Sequence, residues 1–460
     1  MFNRFSILAA LCLSLGTPLA AQTPTGDAMT PQQFFDVGAT FLRAGQPQDA
    51  ARIADSLLAR KADDVSALIL RTEAAIALRD YAAAVQFGRT AYNNATNNRK
   101  FAAARLVALA HAQSKNDTLA QLWLRRARQF APDAQTAQGI AKDYQFLRKR
   151  NPWSTQLRFG ITPSTNINNG SANTTTQLFG LPFEFQLDGE ARALSGLQIS
   201  GGFDTRYRLS QSRNAITFLT LSADMRTYVM SSAAKEQAPD AKGSDFGDAS
   251  LRFGINHKRI LSEGAMPTDF HLLFGQTWFN GDDMKNIIAD SQFAQTGFSQ
   301  SWAIGENDLI SAGLTLRKDI YTDGDPAAQT VGISTRWAHK FDNKDRFAFG
   351  LQAANKTSDD PEKDYTSVSY TTNYDIAKPI YGMRFGFGAN YATRDYDAST
   401  YAPGPREDRT YGLTMSVEMT KVEFYGFRPV INMEVSRNES SINLFDRDYS
   451  NLGFDLRSSF

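Results

Sequence analysis

Residues 197–209 read LQISGGFDTRYRL, with Leu197, Ile199, Phe203, Tyr207 and Leu209 at odd positions and Gln198, Ser200, Asp204, Arg206 and Arg208 at even ones. A period of two sets one face of a strand against apolar surroundings and the other against water. The same alternation recurs in Tyr381, Met383, Phe385, Phe387, Ala389 and Tyr391 against Arg384 and Asn390, and in Tyr411, Leu413, Met415, Val417 and Met419 against Thr414 and Glu418. Strands of a soluble sandwich average about five or six residues. These runs are about twice as long, as a tilted strand that crosses a bilayer must be.

Working outward, about fourteen such runs fill the chain from Asn151 onward, near 155–164, 197–209, 214–229, 246–259, 268–279, 289–302, 308–321, 328–341, 345–355, 365–377, 380–393, 409–420, 428–437 and 449–460. Phe183 to Leu187 is a possible extra strand. An even count suits a bacterial outer-membrane barrel, and the connections alternate between short turns and long polar loops. The pattern predicts short turns in the periplasm and long loops outside, with whatever precedes the barrel in the periplasm. Tyr228, Trp278, Trp302, Tyr321 and Trp337, near strand ends, are expected to form aromatic girdles. Asp204, Arg206, Arg208, Arg384, Arg394, Glu418, Glu434 and Asp455 are expected to line a polar lumen of mixed charge. The final run places Leu452, Phe454, Leu456 and Phe460 on one face. It resembles the C-terminal signal of outer-membrane proteins that the barrel-assembly machinery handles.

The whole chain has 460 residues, 42% of them hydrophobic and 12% aromatic, with 49 basic and 48 acidic residues and one cysteine. That composition excludes collagenous, disulfide-stapled and disordered classes, and the charge balance gives no pull toward nucleic acid. Residues 1–21 read as a cleaved signal peptide: Arg4, an apolar stretch from Phe5 to Leu15, then a small-residue exit ending in Ala20 and Ala21. Cys12 lies inside the apolar stretch, so the mature chain is expected to hold no thiol.

Residues 30–150 differ in kind, being rich in Ala, Leu and Arg at helical spacing, as in Ala67, Leu70, Ala74 and Leu78. Residues 22–150 hold 18 basic and 11 acidic side chains, a net +7, and 151–460 hold 30 and 37, a net −7. Within the basic segment Ala50, Ala84 and Ala120 occupy equivalent places in second helices spaced 34 and 36 residues apart. Paired helices at a period near 34 resemble tetratricopeptide repeats, whose stacks bind peptide or protein in a concave groove. The expected architecture is a multidomain α plus membrane β protein: a TPR-like α-solenoid over 30–150 and a transmembrane antiparallel β-barrel of about fourteen strands over 151–460.

Chemistry-bearing clusters are few. The four histidines show no metal-ligand spacing: His257 and His339 fall on apolar strand faces, His271 on the lumen face and His111 among the helices. Asp282-Asp283 and Asp359-Asp360 read as solvated loop charge. A lipid-hydrolysing Ser beside His257 or His339 is a residual possibility, and no catalytic residue, metal or cofactor is expected.

The stretch NPWSTQLRFGITPSTNINNG, residues 151–170, carries Asn166 and Asn168 in a turn after the first strand, and LSGLQISGG, residues 194–202, follows. With a signal peptide, a helical repeat segment and a C-terminal barrel in that order, these stretches resemble the surface lipoprotein assembly modulators, the Slam family. The resemblance implies a non-enzymatic translocon that brings a cognate lipoprotein or related secreted protein to the surface of a Gram-negative bacterium. It would work with the barrel-assembly machinery, outer-membrane lipid and periplasmic chaperones. A polysaccharide-export barrel and a passive solute porin with an accessory repeat domain are the alternatives.

Overall fold

The computed structural model describes residues 29–279, 291–322 and 324–458. The proposed signal peptide, Phe460 and Asp282-Asp283 lie outside the described residues. Seven helices come first: α1 (Pro31–Arg43), α2 (Pro47–Arg60), α3 (Val65–Ala77), α4 (Tyr81–Asn94), α5 (Asn97–Gln113), α6 (Asp117–Gln129) and α7 (Ala134–Arg150). The chain forms two compact units that divide between Asn94 and Ala95, so that α5, α6 and α7 cluster with the barrel that follows.

Local chemistry sets the helix ends. Thr30 caps α1 in a reciprocal box with Gln33, while Asp64 accepts from the amides of Ser66 and Ala67 at the start of α3, and Asp133 from Thr136 at the start of α7. Pro31 and Pro47 occupy first helical positions, where no amide is needed. In the first unit α1 packs on α2 and α3, and α3 on α4. Small residues allow the close approach: Ala50, Ala54 and Ala74 are fully buried beside Leu70, Phe35 and Ile53. A β-carbon on Gly38 would come within 2.5 Å of Leu70 Cδ2.

The three helix pairs α1–α2, α3–α4 and α5–α6 close in the same way. Gly45, Arg79 and Lys115 have φ of +75°, +62° and +62°. The next amide in each, on Gln46, Asp80 and Asn116, returns to the carbonyls of Phe41, Ala75 and His111 at 2.9, 2.9 and 2.8 Å. This is a Schellman turn, for which glycine is the unstrained residue. Arg79→Gly and Lys115→Gly are therefore each expected to stabilise the protein by about 0.5–1 kcal/mol, read as a higher midpoint of the helical circular dichroism signal on denaturation. A lower midpoint in both would contradict the shared turn.

The second unit contains the strands β1 (Trp153–Ser164), β2 (Thr175–Thr176), β3 (Phe185–Gln186), β4 (Gly196–Gln211), β5 (Ala215–Met230), β6 (Asp248–Arg259), β7 (Thr268–Phe279), β8 (Ser291–Ile304), β9 (Asp308–Tyr321), β10 (Ala328–Lys340), β11 (Arg346–Ser358), β12 (Tyr365–Asp375), β13 (Met383–Tyr396), β14 (Arg406–Met419), β15 (Phe427–Ser440) and β16 (Arg447–Ser458). β1 and β4 to β16 form a closed antiparallel barrel of fourteen strands in which neighbours in sequence are neighbours in space and β16 returns to β1. The possible strand over Phe183 to Leu187 becomes only β3, paired with β2 in a small hairpin outside the barrel sheet. No helix among the described residues is long and apolar enough to cross a membrane.

The closing pair is unlike the rest. β1 is in register with β4 along its whole length, from Trp153 opposite Tyr207 to Ser164 opposite Gly196. Against β16 it registers only at Gly160 with Asp455, Ile161 with Phe454 and Ser164 with Asn451. The amide of Thr165 donates to the Ser450 carbonyl, so odd residues of β1 turn their backbone toward β16. Pro163 is one of these and has no N–H to give. Continuing that register, Arg158 and Phe159 stand opposite Arg457 and Leu456 without a registered pairing, and the positions opposite Thr155 and Gln156 lie outside the described residues.

Candidate functional site

The barrel has two chemically distinct faces. Outward residues form an apolar belt that includes Phe159 (59% exposed), Phe253 (56%), Ile333 (58%) and Leu413 (65%). Leu452, Phe454 and Leu456 of the last strand belong to it. An unbroken surface of this kind is unfavourable in water and suited to acyl chains. The inward face is polar and surrounds two cavities, of about 870 and 570 Å³.

Strand alternation places the expected lumen residues. Gln198 lines the smaller cavity, and Asp204, Arg206 and Arg208 follow on the same face of β4 before the register shift between Arg208 and Ser210. Asp204 pairs with Arg158, which also holds Asp224 at 2.5 Å, and Arg252 reaches Asp224 as well. Arg206 lies over the Phe218 ring at 5.1 Å. Arg208 instead leaves the wall: its guanidinium donates to the carbonyls of Lys149 and Arg150 at 2.9 and 2.8 Å, capping the C-terminal end of α7. Asp455 lines the smaller cavity with Glu434 and accepts from Asn432 at 2.6 Å. Arg394 lines the larger cavity.

Arg384 and Glu418 belong to a chain of charges that runs to the helices. Arg384 donates to Glu418 at 3.1 Å, Arg428 touches both Glu418 (3.2 Å) and Glu423 (3.5 Å), and Arg128 of α6 completes the chain at Glu423 (3.0 Å). Arg125 donates to the Gly426 carbonyl at 3.3 Å, and Gln129 accepts from the Tyr425 amide at 2.9 Å. Asn151 joins the same end, donating to Thr118 Oγ1 at 3.0 Å and accepting from the Trp153 amide. α6 and the end of α7 are thus moored to the short-turn rim of the barrel.

Asn166 and Asn168 are buried, at 3% and 4% exposure. Asn166 exchanges two hydrogen bonds of 2.9 Å with the backbone of Gly170. Asn168 donates to the carbonyls of Glu190 (2.6 Å) and Arg192 (2.8 Å) and accepts from the Leu194 amide (2.9 Å). These bonds fold the 165–195 loop back over the wall, where Ile167 and Leu194 pack on Met230, Ala234 and Ala238. Further along, the loop crosses the seam: Ala172 donates to the Asp446 carbonyl and Asn173 and Thr176 to the loop between β15 and β16. Both asparagines therefore have structural work at the long-loop end.

Two residues expected in the aromatic girdles face inward. Tyr228 lines the smaller cavity and Tyr321 the larger one, whereas Trp278, Trp302 and Trp337 remain on the outer face. The phase of β5 is set by Leu219, Leu221, Met225 and Val229 outside, which turns Tyr228 in. Tyr321 turns in by the same rule, following Leu316 and Ile320 on the outside. The larger cavity carries a set of residues that alternation alone did not single out: Lys356, Tyr365, Tyr396, Arg447 and Tyr449. His257 Nδ1 is 2.9 Å from Thr217 Oγ1, and His339 Nδ1 is 2.9 Å from Asp308, which also accepts from the Trp337 indole. No Ser hydroxyl is hydrogen-bonded to either ring among the described residues. Asp360 holds Lys363 at 2.5 Å and accepts from the Glu362 amide within its own turn.

A closed antiparallel barrel with an apolar belt and a charged interior is the architecture of a transmembrane β-barrel. Several solved structures are similar to this chain. They include a loop L8 deletion form of OmpT from Vibrio cholerae (8% identity, 67% of this chain and 99% of that chain, TM-score 0.31) and OccAB3 from Acinetobacter baumannii (9%, 66% and 98%, TM-score 0.35). A BenF-like porin from Pseudomonas fluorescens is similar at 9% identity over 66% of this chain and 98% of that chain, with a TM-score of 0.33. No protein-family profile matches the chain, and no curated protein matches it in sequence.

Proposed function

We propose that this protein is an outer-membrane translocation barrel that passes a cognate lipoprotein, or a related secreted protein, to the surface of a Gram-negative cell. In this reading the short-turn rim is periplasmic and the helical segment over 30–150, basic and TPR-like, receives the substrate before it is exported. The observation that carries the reading is the uneven seam. Its long-loop half is registered at Gly160, Ile161 and Ser164 and crossed by the 165–195 loop, while Arg158 and Phe159 stand opposite the described Arg457 and Leu456 without a registered pairing. An unpaired edge offers N–H and C=O groups to an incoming extended segment. Pro163 weakens the registered part further by removing a donor.

The test is a reversible lock. Gly160 and Asp455 face each other across the seam, so Gly160→Cys with Asp455→Cys should cross-link there. Surface display of co-expressed candidate lipoproteins is scored by protease shaving of intact cells. Display should fall about tenfold when the lock is oxidised and recover on reduction, with each single variant unaffected. Equal display in both states would remove the seam from the mechanism, and unchanged display after deletion of residues 30–150 would remove the helical receptor. A second reading, a solute porin, draws support from the interior cavities of about 870 and 570 Å³. Faster liposome swelling with neutral sugars, in the absence of any lipoprotein display, would favour it.

A further inference from the structure

The larger cavity is lined by ends of strands on the long-loop side, and its charges fall into two groups. Most are neutralised within the wall. Arg317 grips Asp319 at 2.6 Å, Lys363 is held between Asp325 and Asp360 at 2.5 Å each, and Arg406 pairs with Glu362 and Asp408. Three cations are not. Lys356 Nζ donates only to the Tyr321 phenol, at 3.1 Å. Arg394 donates to the Tyr396 phenol at 3.3 Å and lies over the Tyr365 ring at 4.6 Å. Arg447 has a buried Nε without a hydrogen-bond partner. Among the described residues none of the three makes an ion pair.

The acids that line the cavity among the described residues, Asp319, Glu362 and Asp408, are already engaged by Arg317 and Arg406, so three cations without an ion pair leave a place for an anion, because desolvated guanidinium and ammonium groups gain most from a charged acceptor. Tyr321 and Tyr396 hold the Lys356 and Arg394 head groups, and phenols on the lining can present flat faces to the body of a ligand. A volume of about 870 Å³ suits a solute of one to three sugar rings by the range typical of small-molecule sites.

We propose that this cavity is a binding site for a small hydroxyl-rich organic anion, with a carboxylate or phosphate group taken by Lys356, Arg394 and Arg447 and its ring laid against Tyr321, Tyr365 or Tyr396. The proposal stands apart from the translocation reading and needs neither the seam nor the helices.

Equilibrium dialysis on the full chain in detergent tests it, with glucuronate, glucose 6-phosphate and glucose as probes. Saturable binding of at least one anion is expected, about tenfold or more tighter than glucose and weakening as salt rises. The double variant Arg394→Gln, Arg447→Gln should lose about tenfold in affinity, and Lys356→Gln should lose less. Arg336→Gln makes the same charge change on the inward face of β10, roughly 20 Å along the strand from the cavity-lining Thr330, and should bind as the parent does. Preference for glucuronate identifies a carboxylate ligand, and preference for glucose 6-phosphate a phosphate ligand. No anion binding above glucose, or unchanged binding in folded Arg394 and Lys356 variants, overturns the site.

Discussion

Replacing Asn168 by Asp is expected to release the 165–195 loop while leaving the barrel closed. The side-chain amide faces two carbonyls, of Glu190 and Arg192, and its oxygen takes the Leu194 amide. A carboxylate keeps only the last of these bonds, turns a charge toward two carbonyl oxygens and does so at a site with 4% exposure. Each buried polar group left unsatisfied costs about 1–3 kcal/mol, so the loop as a unit should lose about 3–5 kcal/mol. Hydrogen exchange at Leu194 and Gly170 would report it directly, as a rise of several orders of magnitude, and protease added to the purified protein in detergent should gain access between residues 171 and 193. The strand ladder does not use Asn168, so the β-sheet circular dichroism should be unchanged. Full protection of the Leu194 amide in the variant would show that the loop is held by its apolar contacts alone. If the seam opens during function, a released loop should also raise background opening, because the same segment crosses to the loop between β15 and β16.

Arg406→Ala, at the start of β14, is expected to be the most damaging single substitution at the long-loop end of the barrel. Its guanidinium is 5% exposed, sandwiched between the Tyr396 ring at 3.7 Å and the Phe445 ring at 3.9 Å, and paired with Glu362 and Asp408. Glu362 in turn accepts from Ser399 Oγ at 2.6 Å and the Thr400 amide at 2.7 Å. One side chain therefore ties together the three connections β11–β12, β13–β14 and β15–β16. Removing it leaves two part-buried carboxylates without their cation and opens a gap between two rings, a loss of about 3–5 kcal/mol. Arg406→Lys should recover little, since an ammonium neither forks between two acids nor stacks on aromatic faces as a guanidinium does. Adding Glu362→Gln to Arg406→Ala should restore part of the loss, a coupling that thermal melting of the four species would measure. Additive effects would mean that the stacking, not the pairing, matters.

Much of this architecture is legible in the chain itself, and the reason is periodicity. A side-chain period of two that persists for a dozen residues has few solutions other than a half-lipid, half-polar strand, and fourteen such runs joined by turns leave a closed barrel as the way to satisfy every backbone group. The helix pairs are equally local: buried Ala50, Ala84 and Ala120, and left-handed Gly45, Arg79 and Lys115, mark the same phase three times. Tyrosine is where such reading loses its grip. Tyr228 and Tyr321 stand near strand ends, where an amphipathic ring suits either the bilayer interface or a wet interior, and only strand phase sends them inward. Charge partners are likewise beyond sequence. Alternation puts Arg208 on the inward face, yet its place at the end of α7 depends on where that helix stops relative to β4.

The sequence by itself thus determined the strands, most of their faces and the phase of the helix pairs, because these follow from near neighbours in the chain. The tertiary structure alone decided which cations stay unpaired, how far β1 registers with β16, and that Asn166 and Asn168 fasten a loop. Each of those depends on groups brought together from distant parts of the chain, as Gly160 and Asp455 are, and no local pattern records which partner a closed sheet will supply.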